Sequence, residues 1–380
     1  MAATQPFVEF KLERLLSAYE KGVEINLSES GVHPLSIREL LELKGGDVDA
    51  ELAALAATEL DYPQANGSLE LREAIAHWYP GATADNVLVT VGAIQANLTS
   101  LLTVTAPGEA IAVMQPNYQQ LWGLAQNLGR TMTTFGLKQG RGWALDVDEL
   151  QDAVAPQTRF LAVVNPNNPT GRILRPEERA AILSAAERTG AWLLADEVYA
   201  GAERAVDEIT ESFYGSYERV LAIGSMSKAY GLPGLRVGWV VGPADVVARM
   251  WAWQDYITIC ITRLGDLLAA AALAPDVRPR FIARTRGYVR RGYKTVATWA
   301  AGRDDVEVLP PDAAAICFLK YTRPVNSTEL VMRLLREKDT FVAPGDLFGL
   351  DGHLRVSFGL PEEYVRTGLT RIGELLDEIG

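Results

Sequence analysis

One lysine in this chain stands where a charge needs a reason. Lys228 lies in S-M-S-K-A-Y-G-L-P-G-L-R-V-G-W, Ser225 to Trp239, between the apolar runs Val220 to Ile223 and Val237 to Val241. An amine held at the end of a buried strand loses hydration. Its pKa falls, and it becomes a nucleophile or base near neutral pH. Three other stretches also stand at turns after expected strands: V-G-A-I-Q-A-N (91–97), N-P-N-N-P-T-G (165–171) and A-D-E-V-Y (195–199). With S-M-S-K they supply backbone N–H groups beside a glycine, an amide, a carboxylate, a phenol, two hydroxyls and an amine. In open α/β sheets ligands bind outside the carboxyl ends of the strands, where these turns would lie. Taken alone, N-P-N-N-P-T-G also reads as a rigid turn. The G-x-x-G of Gly231 to Gly234 follows the lysine and lacks dinucleotide spacing.

The elements that must position these groups are visible as short apolar runs. They are Val87 to Val89, Ala110 to Val113, Phe160 to Val164, Trp192 to Ala195, Val220 to Ile223 and Val237 to Val241. Such runs read as strands buried on both faces. Helical periodicity lies between them, as in Leu71, Ala74, Ile75 and Trp78. The alternation predicts an α/β layer with a mainly parallel sheet. After about residue 245 a helix-rich region runs to Ala301. Strand-like pieces follow at Ala315 to Tyr321 and Leu354 to Phe358. The chain closes on an amphipathic helix with Val365, Leu369, Ile372 and Leu376 on one side. We therefore expect an N-terminal arm (1–45), a large domain (46–255) and a smaller α+β domain (256–380).

Bulk properties narrow the class. The 380 residues are 48% hydrophobic and 22% charged, an ordinary globular composition. A net charge of −12 argues against nucleic acid as a partner. The cluster Arg286, Arg290, Arg291 and Lys294 reads as a solvated helix face. No apolar stretch is long enough to cross a bilayer, so no membrane partner is expected. The N-terminus shows no export signal. Two separated cysteines, Cys260 and Cys317, suit buried thiols in a reducing, cytoplasmic setting. The three histidines, His33, His77 and His353, have no metal-ligand spacing.

The order and spacing of the four stretches resemble the aspartate-aminotransferase-like enzymes of fold type I, which use pyridoxal 5′-phosphate (PLP). The resemblance implies a seven-stranded, mainly parallel sheet in the large domain and a homodimer with shared active sites. It implies that Lys228 forms a Schiff base with PLP. Gly92, Ala93 and Ile94 match the first phosphate-binding turn, and Arg236 matches the phosphate-binding arginine; Ser225 and Ser227 suit the same phosphate. Asp196 matches the partner of the pyridinium nitrogen, while Tyr199 and Asn168 match the residues that bond the ring's phenolic oxygen. Tyr118 matches the aromatic that stacks on the ring. Arg355, in H-L-R-V-S-F, matches the grip on a substrate α-carboxylate, for which a planar fork suits better than an ammonium. Tyr62, and less directly Thr258, match groups that reach the partner subunit's site. The implied activity is amino-group transfer on an α-amino acid.

The N-terminal loop S-E-S-G-V-H-P (28–34) departs from the common pattern. Gly31 aligns with a glycine whose backbone meets substrate, but Glu29 and His33 are less usual there. An acid at Glu29 would suit a cationic amino acid. The S-G-V-H stretch is similar to that of capreomycidine synthases, a branch that cyclises a hydroxylated arginine. This leaves β/γ-elimination, replacement or cyclisation as the alternative. Arg263 would either bind a distal anion of substrate or pair with an acid such as Asp266.

Overall fold

The computed structural model describes residues 7–379; the first six residues of the expected arm lie outside the described residues. All six apolar runs form strands of one sheet. In spatial order its strands are Val87–Val91, Val237–Val241, Val220–Ser225, Trp192–Asp196, Thr158–Val164, Ala110–Gln115, Thr131–Lys138 and Ala144–Leu145. The five from Val220–Ser225 to Thr131–Lys138 pair in parallel, and Val237–Val241 runs antiparallel to both its neighbours. The first seven make up the expected sheet. The eighth, Ala144–Leu145, is a two-residue antiparallel addition at the far edge, too short to leave a periodicity signal.

The central strands are buried along their whole length, as in Val220–Ser225 and Val237–Val241, because helices cover both faces. One side packs on Leu161, Val163, Leu193 and Ala195, the other on Phe160, Ala162, Leu194 and Ile223. The strand Thr131–Lys138 escaped the apolar-run reading. Its first half, T-M-T-T, is largely exposed, and only Phe135, Gly136 and Leu137 are buried. The helix expected around Leu71 spans Leu69–Ala76. Trp78 lies just past its end, with the Arg278 guanidinium 4.1 Å from its ring centre.

The remaining chain packs beside this layer. An antiparallel sheet orders Val306–Val308, Ile316–Tyr321, His353–Ser357 and Ala343–Pro344. The last helix, Glu362–Ile379, buries Val365, Leu369, Ile372 and Leu376. Helix Arg263–Leu273 packs on helix Leu69–Ala76, whereas the next helix, Arg278–Ala301, reaches the C-terminal helix. The N-terminal segment joins this smaller unit through a parallel pairing of Ile25–Asn26 with Thr340–Phe341. The basic cluster on Arg278–Ala301 is partly consumed by structure: Arg286 pairs with the fully buried Glu203 at 2.6 Å and Arg290 pairs with Asp207 at 2.5 Å. Among the described residues no helix is long and apolar enough to cross a membrane.

Candidate active site

The sheet delivers the marked residues to one edge. Asp196 ends Trp192–Asp196, and Lys228 follows Val220–Ser225. Asn168 follows Thr158–Val164, and Tyr118 follows Ala110–Gln115. These strands are parallel, so all four turns open on the carboxyl edge, the usual place for a ligand in this architecture.

Lys228 is half-buried. Its Nζ donates to Ser30 Oγ at 2.8 Å. Burial is the main force lowering its pKa, to about 8; the Arg355 and Arg236 charges push the same way, while Glu29 and Glu13 oppose them. Tyr199 is buried and its phenol is pushed up to about 12 by that burial, against a hydrogen bond from Ser30. Asp196 is raised by desolvation, countered by the Asn97 amide and Val198 N–H. Its Oδ2 accepts from Asn97 Nδ2 at 3.1 Å and its Oδ1 from Val198 N at 3.3 Å. The same Asn97 amide nitrogen also donates to Gln120 Oε1 at 3.1 Å, which fixes its orientation.

Arg355 enters from the smaller unit on strand His353–Ser357 and is almost wholly buried. Its Nη1 donates to Asn168 Oδ1 at 3.1 Å and its Nη2 to the Ser28 carbonyl at 2.5 Å. Its Nε is buried without a partner among the described residues. Several other arginines also keep an unused buried donor, so what distinguishes this one is its place: a planar fork buried at the carboxyl edge suits an added carboxylate. Tyr118 donates its phenolic hydrogen to Glu13 on helix Lys11–Tyr19. Burial, chiefly, and Glu13 raise that phenol far above its ordinary value.

The anion end of the site is built from backbone. Helix Gly92–Val104 starts without a side-chain cap and without an acid in its first turn, so its first N–H groups stay free for an anion. Ile94 contributes to that turn through its backbone, since its side chain is 42% exposed. Gly92 has φ +72°, and a Cβ there would sit 2.7 Å from Arg236 Nη2. Glycine is thus favoured by conformation, and a Cβ would also push the guanidinium aside. Arg236 Nη1 also reaches Ser227 Oγ at 3.4 Å. Ser225 differs from its neighbour: its buried Oγ accepts from Ser227 N at 3.0 Å and lies 3.4 Å from the Val237 carbonyl, which ties the turn itself. The residues present fit PLP. The uncapped helix start and Arg236 suit a phosphate, Asp196 suits a ring nitrogen, Tyr118 and Tyr199 suit the ring, and Lys228 suits the aldehyde.

Several expected residues are not gathered here. Tyr62 is 80% exposed. Thr258 is exposed and donates to Gln95 Oε1 at 3.1 Å. Arg263 faces Asp61, with Nε 3.6 Å from Oδ1, rather than Asp266, whose carboxylate accepts from Ser68 N. Glu29 sits at the rim, 3.9 Å from Lys21 Nζ. His33 is held by its backbone, its carbonyl accepting from Arg284 Nη2 at 2.8 Å. Gly31 does pack on the lysine turn, since a Cβ on it would lie 3.0 Å from the Ser227 carbonyl. Sequence reasoning missed Glu13, Ser28, Ser30 and Asn97. Ser28 and Ser30 flank the marked Glu29, and Asn97 stands in the quoted 91–97 stretch. Glu13 carries no local signal at all.

Comparison with known proteins gives the family of the chain. The chain matches the family model of aminotransferase class I and II over residues 39–372 and belongs to that family. It is therefore a PLP-dependent transferase. It is 30% identical to capreomycidine synthase of Streptomyces vinaceus over 377 residues, covering 98% of this chain and 93% of that one. It is 28% identical to an aspartate aminotransferase of Streptomyces avermitilis, covering 83% of this chain and 82% of the other. Among solved structures it is similar to a PLP-dependent aminotransferase from Streptococcus suis, with 27% identity, 99% of each chain covered and a TM-score of 0.93. The PLP-dependent cyclase OrfR gives 27% identity, full coverage of both chains and a TM-score of 0.88.

Proposed function

We propose that this enzyme transfers the amino group of an α-amino acid, with PLP held by its own residues. The observation that carries the reading is the meeting, at one sheet edge, of the desolvated Lys228 amine, the braced Asp196 carboxylate and the buried Arg355 fork. Bound there, PLP supplies an electron sink for the pair left at Cα when its proton departs. Lys228 anchors the cofactor and, once released, takes the Cα proton on Nζ and gives it back. Asp196 holds a proton on the ring nitrogen, with Asn97 keeping the carboxylate aimed. Tyr199 and Asn168 steady the ring oxygen, and Tyr118 covers the ring face. Arg355 orients the substrate through its α-carboxylate. Gly92, Ala93, Ile94, Arg236 and Ser227 hold the phosphate, with Ser225 bracing their turn.

We also propose a homodimer in the cytoplasm, divided into an arm (1–45), a large unit (46–255) and a small unit (256–380). Leu60, Tyr62 and Tyr256 are 78%, 80% and 89% exposed, an apolar cost that a second copy would remove. Tyr62 would then reach the partner's phosphate. The two free cysteines suit a reducing compartment.

A second reading, cyclisation or elimination on a cationic amino acid, is favoured by the Glu13 carboxylate beside Tyr118 and the Glu29 carboxylate at the rim, both within the field of Lys228. One experiment separates the two: product mass spectrometry from a panel of amino acids with and without 2-oxoglutarate. Transfer requires the oxo acid and yields glutamate. Cyclised or eliminated product formed over many turnovers without any oxo acid would replace the first reading by the second.

A further inference from the structure

The segment before Gly31 is held more firmly than a loop needs. Ile25–Asn26 pairs with Thr340–Phe341, Leu27 N donates to the Phe341 carbonyl at 2.7 Å, and Ser357 N donates to the Leu27 carbonyl at 2.8 Å. The Asn26 side-chain oxygen accepts from both Ser28 N at 2.9 Å and Ser28 Oγ at 2.6 Å. His33 N then donates to the Gly359 carbonyl at 2.6 Å. Between these ties Gly31 presses on the Ser227 carbonyl. The effect is to fix Ser30, which is 5% exposed, directly over the lysine.

A buried serine that serves only the fold usually bonds to nearby backbone. Ser30 does not do so among the described residues. Its Oγ instead accepts from Lys228 Nζ at 2.8 Å.

We propose that Ser30 is a positioning residue, whose hydroxyl sets where the Lys228 amine waits and how readily it sheds a proton. This rests on Lys228 carrying PLP, as proposed above. The charges facing Lys228 from other elements are Arg355 and Arg236, which disfavour its protonated form, and Glu29 and Glu13, which favour it; Asp196 lies close by. Ser30 adds a neutral acceptor hydrogen-bonded to the amine. Removing it withdraws a hydrogen bond from the ammonium form, so the amine should lose its proton at lower pH.

The test compares the full-length chain with Ser30→Ala and Ser30→Thr. PLP is added across a pH series, each sample is reduced with borohydride, and the mass of the Lys228 peptide reports attachment. Thermal melting checks the fold, and kcat and KM are measured over the same pH range. For the unsubstituted chain the midpoint of attachment should fall near 8. In Ser30→Ala it should move down by about half to one pH unit, the size expected for one hydrogen bond to a charged group. Attachment should slow and kcat should drop by roughly tenfold at a nearly unchanged KM, while Ser30→Thr restores the midpoint. An unchanged midpoint and kcat in Ser30→Ala would overturn the proposal, as would a lower melting temperature with neither quantity moved. If the unsubstituted chain attached no PLP at Lys228, the functional reading would fall with it.

Discussion

At the scale of residues, the site is a set of ionisable groups taken out of water and then steadied by neutral ones. Desolvation brings Lys228 to about 8, so its neutral, basic form gains population as pH rises through that value. The rate limb assigned to the Cα proton should therefore climb with pH and level off above it, as a pH profile of kcat will report. The same shift bears on stability. Between about 8 and the ordinary lysine value the unfolded chain binds the extra proton, so the fold should resist denaturant better as pH rises across that window. Asp196 works in the other sense: burial raises its pKa, and Asn97 and Val198 pull it back towards the ionised form. Asp196→Asn keeps the shape and removes the charge. Its kcat should fall by about two to three orders of magnitude with the melting temperature nearly kept, as for loss of one electrostatic support in a buried site.

At the scale of elements, each marked group depends on where a strand stops or a helix starts. Gly92 opens its helix at φ +72°, and Gly238 lets strand Val237–Val241 pass so close that a Cβ would lie 2.4 Å from the Gly92 backbone. Gly92→Ala must displace Arg236 and strain the turn. PLP affinity should weaken by about tenfold or more, read as a rightward shift in cofactor titration, with substrate KM little affected. Such placements were largely legible in the sequence. Lys228, Asp196 and Asn168 follow strands whose burial on both faces writes itself as an unbroken apolar run, and the C-terminal helix writes its face at helical spacing. Strand Thr131–Lys138 was not legible, because half of it faces water and needs no apolar residues. Glu13 and Ser30 were not legible as site residues either. Each reaches Tyr118 or Lys228 across the tertiary fold, from 105 and 198 positions away, and no local pattern records such a meeting. The ion pair of Arg263 went to Asp61 rather than Asp266 for the same reason.

At the scale of the whole molecule, the proposed dimer places Tyr62 of one copy at the site of the other. This makes a sharp expectation for mixed chains. Lys228→Ala and Tyr62→Ala are each defective alone. After co-refolding in equal amounts, half the dimers carry one of each, and in these one of the two sites regains both side chains. Activity should return to roughly a quarter of normal by random pairing of identical interfaces. A mixture no more active than its parts would show that the sites are not shared.

The pairing of Ile25–Asn26 with Thr340–Phe341 also fixes an order of events in the making of the protein. Ser28 to Gly31 leave the ribosome long before the strands that seat them, Thr340–Phe341 and His353–Ser357. A nascent chain can thus lay down its central sheet early while the cavity roof stays unbuilt. Firm seating of a cofactor would then wait on those later strands, and a chain cut short before residue 357 would leave its lysine without that roof.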